Sequence, residues 1–477
     1  MNGWILGIGT VYLCALIAAA LRARKSNHSD NDFLLAGSSL GALVGCLTVA
    51  ATLFSTFTLM GMPDLFRSHG IGAWFFLGIS DCALAFVALW FGINIRRRIS
   101  ADDFNGFSGW LGQTYRSRHA TYVYLFGIFV FLIPYVAIQI KGVSLFLNSI
   151  IPGVMPSWAW SVAIVGVIIA YSELGGLRAI IFADSIQGLV LFGATIIIAT
   201  SCVSYFGGIG AMFDSIESTS PALLSTPGPS GLFTYQFLIA SFLAIVMIPV
   251  TQPQMGTRLI IMRDSSSLAR MALLLAVFSF VLILATLPIG LYGAALYSTS
   301  STADFIAQVL VYDQSPIVAA VVVVGLIAAA ISTADSQLFA LGSELRSGIS
   351  KPQYRSMALV RSAIFVFALS ALAVSLVSNT HIVLLARTSF AGSALLAPMI
   401  LSAVFFPKQL HRLIPLLTGL GLIVFLASIF GLTGDTVWGL RMDLLTLIAV
   451  AFGTAIILMF SRSLPGRERL GQSRQQT

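Results

Sequence analysis

The chain of 477 residues is 57% apolar and only 9% charged. A soluble protein carries roughly 25% charged residues to cover its surface, so this composition excludes an ordinary soluble fold. The net charge of +8 would suggest nucleic-acid binding in a soluble protein. Here the basic residues lie in short stretches between apolar runs, as in the loops of membrane proteins, so nucleic acid is not an expected partner.

Thirteen apolar segments follow one another along the chain, and each is long enough to cross about 30 Å of lipid bilayer hydrocarbon as a helix. Their approximate limits are 3–22, 38–65, 71–95, 119–150, 157–173, 179–205, 230–256, 265–298, 315–347, 356–378, 380–405, 411–432 and 440–461. No basic residue precedes the first segment, so we expect it to be a retained span rather than a cleaved signal peptide. The predicted fold class is an all-α membrane protein of about 13 transmembrane helices, with one membrane domain at 1–462 and a polar cytoplasmic tail at 463–477.

The basic residues predict how the chain is oriented. All but four of the 26 Lys and Arg residues fall on one side if the N-terminus is outside and the C-terminus is cytoplasmic. The exceptions are Arg67 and Arg441 in outside loops and Lys141 and Arg387 within segments. Because basic loops stay on the cytoplasmic side, this orientation in the plasma (inner) membrane is expected. The longest loops, near 96–118 and 206–229, are too short for a soluble domain.

Nothing in the sequence predicts catalysis. The four cysteines lie in or beside apolar segments and form no CxxC pair, so neither a transition-metal site nor a disulfide framework is predicted. The sequence contains no nucleotide-binding loop and no convincing Ser/His/Asp set. We therefore expect neither an enzyme, nor an organic cofactor, nor an obligate protein partner.

Three carboxylates fall inside apolar segments: Asp81, Asp184 and Asp335, and a fourth, Glu344, lies near the end of the ninth segment. A carboxylate at the middle of a bilayer costs about 2.5–3.5 kcal/mol on insertion scales, so such residues usually serve a function. These acids therefore mark candidate positions for binding a cation.

The ninth segment places oxygen-bearing side chains on one helix face. Ala329, Ser332, Thr333 and Ser336 follow i, i+3, i+4, i+7 spacing, and Asp335 borders the face that they share. Hydroxyl and carboxylate oxygens are hard ligands that suit Na⁺. The alternative is a packing interface in which small residues let two helices approach closely.

The second and seventh segments are predicted to be broken helices. The second carries five hydroxyl residues between Thr48 and Thr58 before a glycine and a proline, and the seventh contains Pro249, Gln252 and Pro253. Such stretches make poor continuous membrane helices, and interrupted helices often form the binding sites of transporters. The alternatives are a kinked but continuous second helix and an ordinary helix end in the seventh segment.

The two expected breaks lie five segments apart. This spacing is expected if two five-helix units, at about 38–205 and 230–405, are related by inversion. One helix would then precede the repeats and two would follow them.

Four motifs in chain order resemble those of the sodium:solute symporter family, which includes proline, pantothenate, monocarboxylate, sugar and sialic acid symporters. They are Asn31–Gly37, Gly175–Ala179 with Asp184–Gly188, Thr251–Gln254 with Arg258, and Ala329–Gln337. The resemblance covers roughly residues 1–410 and implies the leucine-transporter fold. One departure is Leu53, where the proline symporters carry an acidic residue, and this argues against proline-like specificity.

The resemblance also implies sodium ligands. A common site would use the backbone carbonyls of Ala51, Phe54 and Ala329 with the hydroxyls of Ser332 and Thr333. A possible second sodium site would use Asp184, Ser332, Asp335 and Ser336. Na⁺ is then the transported ion, and no other metal is expected.

A central cavity for the solute is expected to be lined by polar residues of the second, fourth and seventh segments: Thr52, Ser55, Thr56, Gln139 and Gln252. Such donors and acceptors suit a small polar organic solute. Lys141 or Arg387 would favour a carboxylate if either faced the cavity, and the alternative is that each snorkels or pairs with an acid. A monocarboxylate or similar organic acid is the predicted substrate, with a sugar-like solute as the alternative because nearby aromatics could stack on a ring.

The predicted function is Na⁺-coupled symport by alternating access. Two other functions remain open at this point. One is a proton-coupled or uncoupled carrier on the same fold, in which Asp184 or Asp335 takes up the proton. The other is a membrane sensor that does not transport.

Overall fold

The computed structural model describes residues 2–26, 34–37, 39–100, 103–378 and 382–462. Residues 31–33 of the first motif and the predicted tail at 463–477 lie outside these ranges. Within the described residues the chain is almost entirely helical, and one short hairpin is formed by β1 (Thr436–Val437) and β2 (Leu440–Arg441).

The helices of the first half are α1 (Asn2–Ser26), α2 (Ala42–Leu53), α3 (Met62–His69), α4 (Ala73–Arg96), α5 (Phe107–Thr114), α6 (Arg118–Ile150), α7 (Ser157–Tyr205) and α8 (Ile209–Thr219). Those of the second half are α9 (Tyr235–Val246), α10 (Ile248–Thr251), α11 (Pro253–Ile260), α12 (Ser265–Leu296), α13 (Thr302–Ala307), α14 (Pro316–Gly348), α15 (Met357–Val377), α16 (Ile382–Ala394), α17 (Ala397–Phe405), α18 (Leu413–Ile429) and α19 (Met442–Arg462). The chain also forms two π-helical turns, Phe57–Gly61 and Gln308–Tyr312, and two 3₁₀ turns, Pro221–Leu224 and Pro352–Tyr354.

Eight helical stretches of the described residues are long and apolar enough to cross a membrane. Helix α2 with the stretch Phe57–His69, which bends from it by 61°, makes a ninth if the pair counts as one span. Four other predicted segments contain shorter apolar helices: Gly3–Ala18, Ser157–Ala170, Tyr235–Val246 and Leu413–Ile429. The all-helical membrane fold is therefore confirmed, whereas the count of thirteen crossings stays a prediction.

The helix that carries the hydroxyl face, α14, lies inside the helical assembly. It packs against α6, α7 and α15, and it is buried along most of its length. Its polar face therefore meets protein rather than lipid.

The chain between the fifth and sixth predicted segments turns at Gly176, whose φ of 64° lies in the left-handed region that glycine tolerates.

The two longest predicted loops contain short helices, which the sequence analysis did not predict. Helix α8 lies in the second loop and buries Met212 and Ile216. Helix α5 lies in the first, and its N-terminal amides are held by the side chain of Glu344 in α14. The Glu344 carboxylate accepts hydrogen bonds from Phe107 N at 2.9 Å and from Ser108 N at 2.7 Å. A buried carboxylate at a helix N-terminus satisfies free amides, so the role of Glu344 here is structural.

Close packing between α12 and α3 yields a testable prediction. A Cβ at Gly290 would lie 2.5 Å from the backbone oxygen of Pro63 and 2.4 Å from the Cβ of Phe66. We expect Gly290→Ala to destabilise the protein by about 1–3 kcal/mol, because backbone atoms cannot move aside cheaply. The thermal unfolding midpoint in detergent measures this effect. Gly193→Ala in α7 is the control, since a Cβ there meets open space, and an equal loss of stability in both variants would contradict the prediction.

Candidate functional site

The second predicted segment is interrupted directly after α2. Phe54 is extended, with φ −95° and ψ 120°, and a π-helical turn follows. Neighbouring hydroxyls take over the backbone amides at this break. Thr58 Oγ1 accepts from Ser55 N at 3.0 Å, and Ser55 Oγ accepts from Phe57 N at 3.3 Å. Hydroxyl side chains compete with the helix for its amides, which explains why this hydroxyl-rich stretch unwinds.

The break removes helical donors from the carbonyls that the family resemblance assigned to sodium. In a continuous helix, Ser55 N would bond to the Ala51 oxygen and Thr58 N to the Phe54 oxygen. Here Ser55 N bonds to Thr58 Oγ1, and Thr58 N bonds to the Ser55 oxygen at 2.8 Å. Both carbonyls are thereby released to accept hydrogen bonds or a cation from elsewhere.

The α14 hydroxyl face meets this break. The hydroxyl of Thr333 donates to the Ala51 carbonyl oxygen at 3.1 Å. Ser332 is adjacent, and Ala329 lies one turn before Thr333 on the same face. All three α14 residues are buried, as are Ala51 and Phe54. The structure therefore joins the two stretches that the predicted sodium site requires.

The seventh predicted segment is interrupted at Gln252, between α10 and α11. Gln252 has φ −93° and ψ 122°, nearly the conformation of Phe54. The cause is different, because a residue before proline is pushed out of the helical region and Pro253 has no amide to donate. The two predicted breaks thus share a backbone shape, although the sequence produces each one in its own way.

A buried ion pair lies beside the hydroxyl face of α14. The guanidinium of Arg258, from α11, contacts Asp184 Oδ2 of α7 at 2.9 Å, and both side chains are at most 1% exposed. It also donates to Thr48 Oγ1 at 2.9 Å and to Ser336 Oγ at 2.8 Å. Asp184 accepts from Thr48 Oγ1 at 2.5 Å and from the Ser332 hydroxyl. Four helices, α2, α7, α11 and α14, therefore meet at one charged cluster.

This cluster overlaps the predicted second sodium site. Arg258 lies against Asp184 and Ser336, two of the four residues predicted for that site, and Asp335 is fully buried in α14. The limits of the seventh predicted segment, 230–256, leave Arg258 in the loop that follows, whereas the structure places it in α11. Its side chain is only 1% exposed, because it turns inward to neutralise Asp184.

Of the predicted substrate residues, Gln139 faces the break in the second segment. It lies on one face of α6 between Tyr135 and Gly142. The Tyr135 hydroxyl donates to the Leu53 oxygen at 3.1 Å, and a Cβ at Gly142 would lie 2.2 Å from Thr56 Cγ2. Because its neighbours contact both ends of the break, Gln139 lies opposite it.

Three of these predicted residues carry buried polar atoms that have no hydrogen-bond partner among the described residues: Thr56 Oγ1, Gln139 Oε1 and Gln252 Nε2. The other two are engaged locally. Thr52 donates to the Thr48 oxygen at 2.8 Å, and Ser55 accepts from the chain. Leaving such a group unsatisfied costs about 1–3 kcal/mol, so the three open atoms suit a polar ligand.

The two basic residues inside predicted spans are bound to the protein. Arg387 pairs with the Asp443 carboxylate of α19 and donates to Ser241 Oγ at 2.7 Å. Lys141 donates to the Ser378 oxygen at 2.5 Å. The alternative in which each finds a protein partner is therefore the one that the structure favours.

A further acid, Asp81 of α4, is 7% exposed and has no hydrogen-bond or ion-pair partner among the described residues.

These features, two interrupted helices around buried polar groups within a bundle of apolar helices, define a secondary transporter of the leucine-transporter fold class. The pattern of the sodium:solute symporter family matches residues 33–412, and the chain belongs to that family.

Similar proteins agree with this assignment. The high-affinity proline transporter PutP of Bacillus subtilis is 26% identical over 407 residues, covering 81% of this chain and 84% of the relative. The sodium/pantothenate symporter of Haemophilus influenzae is 23% identical, covering 69% and 68%. A Na⁺-coupled sialic acid symporter, solved in a substrate-bound outward-open state, has a TM-score of 0.74 at 17% identity and covers 96% of this chain and 98% of that one.

The fold is also shared with Mhp1, a nucleobase-cation-symport-1 family transporter solved in a closed conformation, with a TM-score of 0.61 at 15% identity. That match covers 92% of this chain and 96% of the other. The common fold confirms the predicted all-α, leucine-transporter-like fold, without confirming the number of thirteen helices. The repeat boundaries at 38–205 and 230–405 stay a prediction.

Proposed function

We propose that this protein carries a small polar organic solute across the plasma membrane together with Na⁺, by alternating access. The observation that carries the proposal is the contact between the interrupted second segment and the hydroxyl face of α14, at Thr333 and Ala51. A cation between these groups would be surrounded by hard oxygen ligands. Each Na⁺ that enters gains about 2.3 kcal/mol per 100 mV of membrane potential, which drives accumulation of the solute.

The proposed sodium ligands are the carbonyl oxygens of Ala51, Phe54 and Ala329 and the hydroxyls of Ser332 and Thr333. The loss of helical donors at Ala51 and Phe54 supports this set. A second ion at Asp184, Ser332, Asp335 and Ser336 would require Arg258 to leave Asp184 first. We therefore propose one Na⁺ per cycle while this ion pair holds. We further propose that the N-terminus is outside and the C-terminus cytoplasmic.

The proposed solute site lies between the two breaks, at Thr56, Gln139 and Gln252, with Thr52 and Ser55 beside it. The open donor and acceptor atoms of these residues support a solute that both accepts and donates hydrogen bonds. Because Arg387 and Lys141 have protein partners, neither favours an organic anion as such. A monocarboxylate, a neutral polar solute and a zwitterion are all candidates for the assay below.

The proposed function is tested by thermal stabilisation of the purified protein in a panel of small solutes, with Na⁺ or with choline at fixed pH. We expect Na⁺ to stabilise the protein and one class of solute to add to this effect only in Na⁺, through binding linkage. The panel includes proline, pantothenate, sialic acid and short monocarboxylates. Equal stabilisation by the solute in choline, together with a strong change when the comparison is repeated at other pH values, would instead support proton coupling.

A glutamine substitution then tests the solute site. Gln139→Leu should weaken solute stabilisation by about ten-fold in concentration, since it removes a hydrogen-bond partner from a buried site, and should leave the Na⁺ response intact. Gln314→Leu is the matched control, because this glutamine bonds locally to the Val309 oxygen. Equal effects of the two variants would contradict the assignment of Gln139.

A further inference from the structure

The proposed sodium ligands of α14, Ala329, Ser332 and Thr333, are called the sodium face below. A continuous series of buried hydrogen bonds leads from this face to the break at Gln252. The Ser332 hydroxyl donates to Asp184, and Arg258 donates to the other oxygen of that carboxylate at 2.9 Å. Arg258 also donates to the Gln254 backbone oxygen at 2.9 Å, and Gln254 Nε2 donates to Gln252 Oε1 at 2.7 Å. We call these five residues, Ser332, Asp184, Arg258, Gln254 and Gln252, the coupling chain.

The first link responds to an ion. The Ser332 hydroxyl has one hydrogen, and it is committed to Asp184, so only the lone pairs of this oxygen are left for a cation. A cation on those lone pairs polarises the O–H group and strengthens its bond to the carboxylate, because hydrogen bonds in a series polarise one another. Binding of an ion at the sodium face therefore strengthens the hydrogen bond that Asp184 accepts from Ser332.

The middle link joins separate helices. Arg258 belongs to α11, while its partners Thr48, Asp184 and Ser336 belong to α2, α7 and α14. A guanidinium holds several acceptors in fixed directions, so α11 is positioned only when all three partners are in place. On its other side Arg258 borders a cavity of about 30 Å³ that Gln254 and Glu344 also line. Release of this one side chain would therefore free α11 and open the cluster to that cavity.

The last link ends at Gln252, a residue of the proposed solute site. Gln252 accepts from Gln254 through Oε1, and this fixes the side-chain amide so that Nε2, which has no partner among the described residues, is presented as a donor. The backbone oxygen of Gln252 is held by Met255 N and Gly256 N, both at 3.1 Å. The exchange of these two amides with solvent reports how firmly Gln252 is held.

We propose that the coupling chain transmits occupancy of the sodium face to Gln252, with Arg258 as the positioning residue, so that Na⁺ organises the solute site before the solute arrives. This rests on the proposed Na⁺ symport function. It identifies Arg258 and Gln254, which belong to neither the proposed sodium ligands nor the proposed solute site, as the residues that make binding of ion and solute cooperative. Coupling free energies between two sites correspond to about a 5- to 150-fold change in affinity.

Hydrogen exchange of the native chain tests the proposal without a known solute. In the unsubstituted protein, we expect Na⁺, compared with choline, to slow exchange across α11 by about five-fold or more, including Met255 and Gly256. Arg258→Gln should abolish this slowing throughout α11, and Arg258→Lys, which keeps the charge and a donor, should restore part of it. Thermal stabilisation by Na⁺ is followed in the same samples.

Gln254→Met provides the sharper variant, because it keeps every charge and the backbone link to Arg258 and removes only the bond to Gln252. Slowing by Na⁺ should persist at Leu259 and Ile260 and disappear at Met255 and Gly256. Gln314→Met is the control and should behave as the unsubstituted protein. If Na⁺ stabilises all variants and slows exchange equally in all of them, the coupling chain is refuted while the sodium site stands. If Na⁺ neither stabilises nor protects the unsubstituted protein, both proposals fall.

Discussion

Ser332→Ala and Thr333→Ala are each expected to raise the Na⁺ concentration needed for half-maximal thermal stabilisation by about ten-fold. The loss of one oxygen ligand from a buried ion site costs about 1–3 kcal/mol, and 1.4 kcal/mol corresponds to a factor of ten in affinity. Both hydroxyls are buried at the contact between α14 and the break in the second segment. The measurement is a Na⁺ titration of the unfolding midpoint, with choline maintaining the ionic strength.

The control lies in the same helix. Ser343 donates to the Phe339 oxygen at 2.9 Å, an ordinary bond within α14 that takes no part in the sodium face. Ser343→Ala should therefore leave the Na⁺ titration unchanged. Unchanged Na⁺ affinity in both Ser332→Ala and Thr333→Ala would rule out the site.

Breaking the Asp184–Arg258 pair should produce the largest loss of stability. Asp184→Asn leaves the guanidinium of Arg258 buried without a counter-charge, which costs about 3–5 kcal/mol. The double variant Asp184→Asn/Arg258→Gln removes both charges and leaves neither buried without a partner, so it should recover most of that loss. The free energies of unfolding of the two single variants and the double variant form a cycle that isolates the pair.

An exposed ion pair serves as the comparison for this cycle. Arg263 and Asp264 lie 3.0 Å apart, with side chains 66% and 46% exposed. Solvent screens such a pair, so Arg263→Ala should change stability little. If Asp184→Asn were as mild as Arg263→Ala, or if the double variant were no more stable than Asp184→Asn alone, the account of the buried pair would be wrong.

The features that sequence reasoning could predict depend on residues close together in the chain. The face formed by Ser332 and Thr333 needs only helical spacing, and the break at Gln252 needs only the proline that follows it. The break at Phe54 follows from hydroxyls within four residues. The carbonyls of Ala51 and Phe54 came from the family resemblance alone, because a free carbonyl leaves no mark on the side-chain sequence.

The features that sequence reasoning missed depend on distant residues. Arg258 lies 74 positions from Asp184 and 210 from Thr48, and the chain around it reads like other basic stretches at helix ends. Its burial depends on three helices that no local pattern brings together. The same holds for Arg387, whose partner Asp443 is 56 positions away.

Helix length alone does not give the number of membrane crossings. The seventh predicted segment is divided into α9, α10 and α11, and each piece is too short to span the bilayer by itself. Hydropathy of the sequence treats these pieces as one run, whereas helix length treats them as three. The interrupted helices that form the binding sites of a transporter therefore also make its membrane crossings hard to count from helix length.

The two interruptions have nearly equal backbone angles but different causes, and this gives them different mechanical properties. A bend enforced by Pro253 is permanent, because no rearrangement of neighbours can give proline an amide hydrogen. The bend at Phe54 is held by hydroxyls, which can turn to other acceptors and let the amides return to the helix. The second half of the molecule therefore contains a fixed bend, and the first half contains a bend whose stiffness can change as the transporter changes conformation.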